Sequence, residues 1–341
     1  MTEKRVTMED IASEMNIAKS TVSIAIADKY GVSEEMRSKI ILKAIEMGYD
    51  FSQVKIKHSK RKKIALVIED NSSFHSGFWM SIIKGIEQRL CSLRYQFKII
   101  VANQYESFDD IFIEASSSKI AGVIVLAGES FLKELILGFK RLKIELVLID
   151  SLNYFSPQCN EVRAGNYAGG IECAEYLCKK GHKNFAFLRY DTFSYSMRQR
   201  CAGFEYGLDF FGKYQPVTFS CAEEVPALDD SIEQFLNTLQ YPCAVFCAND
   251  FLASYLYYHA EQRGLKIPGD LSVVGFDNSS GELMDKITTF DIPKELLGAR
   301  AVDLLIDRIN EPDKPVEIIE IAVKMVERES VMDFTAKGNK S

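Results

Sequence analysis

Residues 6–27 read VTMEDIASEMNIAKSTVSIAIA, and the spacing of their apolar side chains decides the fold at the amino end of the chain. Thr7 followed closely by acidic residues is typical of a helix start, because acids are favoured in the first turn. Apolar residues then recur at helical spacing as far as Met15. The stretch predicts a short helix over 8–15, a tight turn at 16–18 and a second helix over 19–27.

A third helix is predicted downstream, capped by Ser33 and ended near Met47 by Gly48. Three short helices with a three-residue turn between the first two fit the helix-turn-helix plan, in which the amino end of the second helix enters the major groove of DNA. A generic helical hairpin, whose hydroxyl residues only cap and solvate a helix, would show the same periodicity.

The formal net charge of −7 is unevenly distributed along the chain. Residues 1–63 carry 13 Lys/Arg and 9 Asp/Glu, a balance of +4, which leaves −11 for the remainder. Residues 51–63 hold six of these basic residues and no acidic one, whereas residues 1–50 are net negative. The asymmetry suggests a nucleic-acid-binding arm on an acidic body, although a solvated linker would carry the same run.

Length and composition bound the class of protein. The 341 residues suffice for two or three cores. There is no secretory signal, and no stretch approaches the roughly 20 apolar residues of a membrane span, so a cytoplasmic protein without membrane contact is expected. Eight cysteines without C-x-x-C spacing and four histidines predict no metal site. Without a nucleophile-elbow, phosphate-loop or dinucleotide motif, the sequence predicts no enzyme, no catalytic residues and no cofactor.

From residue 64 onward, apolar runs bounded by turn residues alternate with helical stretches. The alternation predicts parallel sheets covered by helices, and roughly 270 residues suggest two such lobes. The predicted strands are 64–68, 97–101, 122–126, 146–149, 184–188, 244–247 and 272–275. The predicted helices are 79–90, 168–180, 201–211 and 251–263.

Polar residues follow several of these strands directly. Ligands of open α/β sheets bind beyond the carboxyl ends of the strands, so these residues are candidates for binding a hydroxyl-rich molecule. The candidates are 69–71, 150–151, 190–191, 249–250 and 277–278. Helix capping or a turn is the alternative for each, and for Asp250 capping is the favoured interpretation.

Residues 6–49 resemble the DNA-binding headpiece of the lactose-repressor (LacI) family of bacterial transcription regulators. The similar segments are VTMEDIA at 6–12, KSTVS at 19–23, VSEE at 32–35 and MGY at 47–49. The resemblance implies that Lys19 and Ser20 face base edges of the operator. It also implies that Thr21 and Ser23 face bases or phosphate.

Further DNA contacts follow from the same resemblance. Thr7 is one of them. Ile24 stands where the family commonly has arginine, which implies an apolar contact, for instance with a thymine methyl group. The family's linker usually forms a hinge helix with a leucine that inserts into the minor groove. In this chain Val54 or Ile56 would take the place of that leucine. The favoured interpretation is that the basic run, with Lys55 and Lys57, binds phosphates.

The resemblance continues through the body. Similar segments include FWMS at 78–81, VLID at 147–150, AND at 248–250, IPGDLSVVGFDN at 267–278 and VERES at 326–330, whereas Gly165 stands where the family usually has aspartate. The resemblance implies the type 1 periplasmic-binding-protein architecture, with two lobes and three crossings near 159–162, 289–293 and 321. By family position, the effector contacts are Phe78, Trp79, Asp150, Ser196, Arg200, Asn249 and Asp277.

The predicted fold is therefore an N-terminal all-α helix-turn-helix headpiece followed by an α/β two-lobed, type 1 periplasmic-binding-protein-like effector domain. The expected domains are a DNA-binding domain at 1–50, a basic hinge or linker at 51–63, a ligand-binding and dimerisation domain at 64–334 and a flexible tail at 335–341. The N-lobe is expected at about 64–160 and 292–320, and the C-lobe at about 161–291 and 321–334.

The expected function is that of a sequence-specific transcriptional regulator, a repressor, which binds palindromic double-stranded operator DNA as a homodimer. A small molecule bound between the lobes, a sugar in the first instance, would control operator affinity. A purine or a phosphoprotein co-repressor is the alternative effector. A stand-alone solute-binding protein would share the body but should carry a secretion signal and lack the headpiece.

Overall fold

The computed structural model describes residues 6–27, 31–51, 63–69, 77–126, 129–151, 159–192 and 194–335. The predicted linker contacts Val54, Lys55, Ile56 and Lys57 lie outside these residues. The chain divides into two compact units. Unit 1 comprises Met1–Val162 and Glu295–Ile319, and unit 2 comprises Arg163–Lys294 and Glu320–Ser341.

Unit 1 begins with the three predicted short helices: α1 Met8–Glu14, α2 Lys19–Ile26 and α3 Glu34–Glu46. The turn between α1 and α2 passes through Asn16, whose φ of 53° lies in the left-handed region that asparagine tolerates. Apolar side chains of all three helices, among them Ile11, Val22 and Ile40, are fully buried. The three helices therefore share a core, as the helix-turn-helix prediction requires.

A six-stranded sheet forms the rest of unit 1, in the order β11-β5-β4-β3-β1-β2. Its strands are β1 Lys63–Ile68, β2 Gln96–Val101, β3 Ile120–Leu126, β4 Glu145–Ile149, β5 Asn160–Ala164 and β11 Ile318–Ile321. Its helices are α4 Gly77–Ser92, α5 Phe108–Ser117, α6 Glu129–Arg141 and α11 Lys294–Asn310. Strands β1 to β5 pair in parallel, and every residue of β3 is buried, as expected for a sheet covered on both faces.

Unit 2 contains a four-stranded parallel sheet in the order β7-β6-β8-β9 and an antiparallel pair, β10-β12. Its strands are β6 Phe185–Tyr190, β7 Val217–Cys221, β8 Cys243–Cys247, β9 Leu271–Val274, β10 Thr289–Asp291 and β12 Lys324–Val326. Its helices are α7 Asn166–Lys179, α8 Tyr195–Gly212, α9 Ala227–Thr238 and α10 Asp250–Gln262. Aromatic rings, including Phe187, Phe204 and Phe246, fill the core.

Every strand and helix named from the sequence is present. Five strands were not revealed by the apolar runs, and two of these, β5 and β7, carry polar residues. The sequence of β5 is NEVRA, and it runs from unit 1 into unit 2. The strand β7 lies at the edge of its sheet, where its first two residues are exposed.

Candidate functional site

Thr7 fixes the start of α1 through a capping box. Its Oγ1 accepts a hydrogen bond from the backbone N–H of Asp10 at 3.3 Å, and the Asp10 carboxylate accepts one from the backbone N–H of Thr7 at 2.8 Å. This contact orients α1 in the headpiece. A contact between Thr7 and DNA stays a prediction.

The amino end of α2 presents polar side chains to solvent. The predicted base-contacting residues all keep some exposure: Lys19, Ser20, Thr21, Ser23 and Ile24. The buried face of the helix consists of Val22, Ala25 and Ile26. The residue before the helix, Ala18, makes no side-chain cap, and the amino end of a helix suits a phosphate oxygen.

An ion pair constrains the first of these residues. Lys19 Nζ lies 2.7 Å from Glu9 Oε2, and both side chains are well exposed. The hydrogen bond from Lys19 to Glu9 raises the pKa of the lysine. Glu9, in the first turn of α1, therefore also orients Lys19, which is a predicted DNA contact.

Arg37 links α3 to the carboxyl end of α2. Its side chain is buried, and its Nη1 donates to the backbone carbonyl of Ala25 at 2.8 Å and to that of Ile24 at 3.4 Å. The last carbonyls of a helix lack partners within the helix, so a guanidinium is well suited to satisfy them. Arg37 therefore sets the orientation of the predicted recognition helix.

Arg200 is the centre of a polar cluster in unit 2. It is 4% exposed, and its Nε donates to Asn166 Oδ1 at 2.9 Å. Its Nη1 donates to the carbonyl of Ala248, and its Nη2 lies 3.0 Å from Asp277 Oδ1. The guanidinium carbon lies 3.9 Å from the centre of the Phe276 ring. Partners from α7 and from the ends of β8 and β9 thus hold the side chain in one geometry.

Two glycines allow α7 and α8 to approach closely enough for this contact. A Cβ atom on Gly170 would lie 2.3 Å from the carbonyl oxygen of Arg200, and one on Gly203 would lie 2.0 Å from that of Tyr167. These distances are far shorter than van der Waals contact, so a side chain at either position would separate the helices. The separation would move Arg200 away from Asn166.

Asn249 and Asp250 have different roles at the start of α10. Asn249 has an extended backbone, and its Oδ1 accepts a hydrogen bond from the N–H of Leu252 at 2.9 Å, so Asn249 is the cap. The capping predicted for Asp250 is wrong, because this residue is already the first of the helix. The carboxylate of Asp250 instead accepts hydrogen bonds from the Thr289 hydroxyl at 2.6 Å and from the N–H of Ser279 at 2.7 Å.

Burial has marked effects on ionisable groups of this cluster. It raises the pKa of Asp250 to about 7, with the negative charge of Asp277 as a second cause. Burial also raises the pKa of Tyr190, and a hydrogen bond with the side chain of Asn249 partly opposes the change. Asn249 therefore contacts the end of β6 as well as capping α10.

The loop that carries Asp277 is held in an unusual backbone conformation. Asp277 and Asn278 have φ values of 108° and 49°. The N–H of Asp277 donates to the carbonyl of Phe290 at 2.9 Å, and Arg328 Nη2 donates to Asn278 Oδ1 at 2.7 Å. Such φ values persist only where the surroundings determine them, so the position of the Asp277 carboxylate is fixed by its neighbours.

Ser196 lies at the start of α8, one turn before Arg200, and is partly buried. The other predicted effector contacts belong to unit 1. Phe78 and Trp79 lie at the start of α4 and pack edge to face with ring centres 4.8 Å apart. Asp150 follows β4 directly, and its N–H donates to the carbonyl of Val162 at 2.9 Å. The effector roles of these residues stay predictions.

The described residues contain no cluster of three or more His, Cys, Asp or Glu side chains suited to a metal ion. All eight cysteines are free thiols. None of the described helices combines the length and apolar character that a membrane crossing needs.

Comparison with known proteins finds one family model and relatives that cover nearly the whole chain. Residues 174–331 match the family model described as a periplasmic binding protein-like domain. The HTH-type transcriptional repressor PurR of Pasteurella multocida is 28% identical over 345 residues, which cover 95% of this chain and 98% of the relative. PurR of Mannheimia succiniciproducens is 26% identical over 344 residues, with coverage of 95% and 98%.

Solved structures share the fold over nearly the whole chain. The lac repressor dimer bound to operator and the anti-inducer ONPF superposes with a TM-score of 0.67 at 21% identity, covering 96% of this chain and all of that one. The chain is similar to LacI-family regulators over nearly its whole length. The transcriptional regulator CelR in complex with cellobiose gives a TM-score of 0.70 at 21% identity, with coverage of 96% and 100%.

The structure adds residues that the sequence motifs alone did not identify. Asn166 binds Arg200, yet in the sequence it was notable only because glycine replaces aspartate before it. Phe276 packs against the Arg200 guanidinium, yet in the sequence it reads only as an apolar residue after strand β9. The position of Asn166 could have indicated a binding-site residue, because Asn166 is a polar residue at the start of a helix that follows a strand.

Proposed function

We propose that this protein is a LacI-family transcriptional repressor whose affinity for its operator changes when a small polar molecule binds at the strand ends of unit 2. The observation that carries the proposal is the buried guanidinium of Arg200, held by Asn166 and Asp277 beside the start of α10. Because the side chains of this cluster are already ordered, little conformational entropy is lost when a ligand binds. The full-length relatives, which are named repressors, support the assignment to regulation rather than catalysis.

The chemistry of the cluster favours a sugar. The carboxylate of Asp277 and the amides of Asn166 and Asn249 accept or donate hydrogen bonds, as neighbouring hydroxyl groups require. By family position Trp79 is a further predicted effector contact, and the face of an indole ring suits a sugar ring. A related regulator has been solved with cellobiose and another, from Enterococcus faecium, with ribose. A purine is the second candidate, because the full-length relatives carry the name PurR.

A homodimer on palindromic DNA fits the surface of unit 2. Phe251 and Tyr258 on α10 are 53% and 50% exposed, and Phe251 stacks on Tyr255 with ring centres 6.1 Å apart. Exposed aromatic side chains on one helix are typical of a protein interface. Two copies related by a twofold axis would present two headpieces to the two halves of an operator. Because its target is chromosomal DNA, we place the protein in the cytoplasm.

The effector class is tested by the fluorescence of the sole tryptophan, Trp79. The full-length protein is titrated with a panel of mono- and disaccharides and a panel of purine bases. We expect a saturable change with at least one sugar, and no change in an Asp277→Asn variant. A response to a purine but to no sugar would replace the sugar assignment. A response in the variant equal to that of the wild type would remove the cluster from the binding site.

A further inference from the structure

A cavity of about 320 Å³ lies in unit 1, away from the predicted effector contacts of that unit. Its lining includes Glu145 and Asn160, which are the first residues of the parallel strands β4 and β5. Asp150 follows the opposite, carboxyl end of β4, and five strand residues correspond to about 16 Å. The cavity is therefore at the other edge of the sheet, and its volume suits a small ligand.

Cations from separate parts of the chain converge on this cavity. Lys140 lies in the last turn of α6, Lys143 in the turn that follows, and Arg308 on α11. Glu145 is the one carboxylate among the described lining residues, and Arg308 Nε donates to it at 3.2 Å. Three cations against one carboxylate leave a net lining charge of +2. Lysines near the end of a helix are common, but the approach of Arg308 from α11 to Lys140 and Lys143 is not explained by the helix dipole.

The remaining walls are suited to a carbon skeleton that carries anionic groups. The apolar lining residues are Ile144, Leu146 and Val316, and the buried thiol of Cys159 also faces the cavity. Burial raises the pKa of the Cys159 thiol, and the nearby Lys140 opposes this change. The Oδ1 atom of Asn160 accepts a hydrogen bond from the N–H of Glu317 at 2.8 Å, which fixes the amide at the cavity wall. Charge-assisted hydrogen bonds from lysine and arginine suit carboxylate or phosphate.

The register of the sheet places the cavity near the basic linker. Ile64 pairs with Gly122, and Gly122 pairs with Glu145, so these residues form one row across β1, β3 and β4. Two strand spacings separate the ends of this row, a distance of about 10 Å. Residue 63, the last of the basic run, precedes Ile64 directly. An anion in the cavity would therefore lie within about one Debye length of Lys63.

We propose that this cavity is a second ligand site, which binds a small anionic metabolite through Lys140, Lys143 and Arg308. The ligand class is a compact molecule with at least one phosphate or carboxylate group. The site is independent of the effector cluster in unit 2 and does not depend on the function proposed above. A phosphate of the DNA backbone has the same chemistry, and the experiment distinguishes the two sources.

Isothermal titration calorimetry of the full-length protein tests the proposal, with inorganic phosphate, pyrophosphate and citrate as probes and glycerol as the uncharged control. The double variant Lys140→Gln/Lys143→Gln removes two cations from the lining. The matched control, Lys119→Gln/Lys133→Gln, removes the same charge from exposed positions elsewhere on unit 1. We expect one probe to bind the wild type with 1:1 stoichiometry. Its affinity should fall about tenfold or more in the cavity variant and less than about twofold in the control.

Three results would overturn the proposal. The first is that no probe binds the wild type at millimolar concentration. The second is an equal loss of affinity in both double variants, which would indicate a diffuse charge effect. The third is measured by the fluorescence anisotropy of a labelled non-specific DNA duplex. If the cavity variant binds this duplex more weakly but binds the probes as tightly as the wild type does, the two lysines bind phosphates of the DNA backbone. Thermal melting of each variant in parallel verifies that unit 1 remains folded.

Discussion

The Nη2 atom of Arg200 lies 3.0 Å from Oδ1 of Asp277, and the two side chains are only 5% and 15% exposed. A buried ion pair contributes little net stability by comparison with apolar packing, but removal of one partner leaves the other charge buried without compensation. The pair is therefore suited to a binding site: it holds two polar groups at a strand end in a fixed geometry. The function proposed for unit 2 depends on it.

The substitution Asp277→Asn removes the counter-charge of Arg200. We expect the free energy of unfolding to fall by about 3 kcal/mol, because the guanidinium stays buried without its carboxylate. Urea unfolding monitored by circular dichroism measures the change. The control is Asp285→Asn, which alters an exposed carboxylate eight positions downstream. Equal urea midpoints for the two variants would show that the pair does not have the predicted role.

In the headpiece, Glu9→Gln breaks the ion pair with Lys19. The lysine is then available to DNA, and a negative charge is removed from the predicted DNA-binding side, so operator affinity should rise about threefold. The change is measured by anisotropy of a labelled operator duplex at fixed salt. The substitution Glu46→Gln on α3 removes an exposed carboxylate that pairs with Lys43 and is the matched control. An affinity increase of the same size in the control would attribute the effect to net charge alone.

The substitution Arg37→Met tests whether the buried guanidinium of Arg37 positions α2 or contacts a DNA phosphate. The arginine donates to the carbonyls at the end of α2, so we expect a loss of operator affinity through a displaced recognition helix. Because Arg37 contacts no phosphate in this account, the slope of log affinity against log salt should stay unchanged. A slope reduced by about 1 would instead identify Arg37 as a phosphate contact. Lys39→Gln, which alters an exposed lysine paired with Glu35, is the control.

The raised pKa of Asp250 predicts that stability depends on pH. The folded-state pKa of about 7 exceeds the unfolded value of 3.8, so the folded state binds more protons between these values and the free energy of unfolding falls as pH rises through 7. His182, whose pKa burial lowers to about 4, acts with the opposite sign, and because its unfolded pKa is 6.5 it still offsets about half of the Asp250 effect above pH 6.5. Between pH 6.5 and 8 we expect a net loss of about 0.4 kcal/mol in the wild type.

The same measurement on Asp250→Asn isolates the group responsible. The amide does not titrate, so the loss between pH 6.5 and 8 should disappear, whatever the absolute stability of the variant. Urea unfolding at the two pH values gives both numbers. Retention of the wild-type pH dependence in Asp250→Asn would assign it to another group.

Much of the fold followed from the sequence because its signals are local. The capping of α1 by Thr7 and the apolar periodicity of α2 depend on residues within one or two turns, and the apolar strands of parallel sheets are unbroken runs. The polar strand β5 and the edge strand β7 lack such runs, so only pairing with their neighbours reveals them. Antiparallel pairing of β10 with β12 joins segments more than 30 residues apart and has no local signature.

The candidate sites could be predicted less completely. The rule that ligands bind at strand ends identified Asp277 and Asn249, and family position added Arg200. The partner of Arg200 at Asn166, the pairing of Lys19 with Glu9, and the inward position of Asp250 depend on which side chains meet after folding. Sequence spacing does not encode such contacts, because the residues lie up to 39 positions apart.

The most direct test of the account is the operator affinity of the wild-type protein with and without effector. An operator selected by the protein from a random duplex library is labelled, and its anisotropy is titrated in the absence and presence of a saturating concentration of the sugar that changes Trp79 fluorescence. We expect the bound sugar to change operator affinity by about fivefold or more, which corresponds to a coupling free energy of at least about 1 kcal/mol. The change should be absent in Asp277→Asn. Identical operator affinity with and without the bound sugar would contradict ligand-controlled DNA binding.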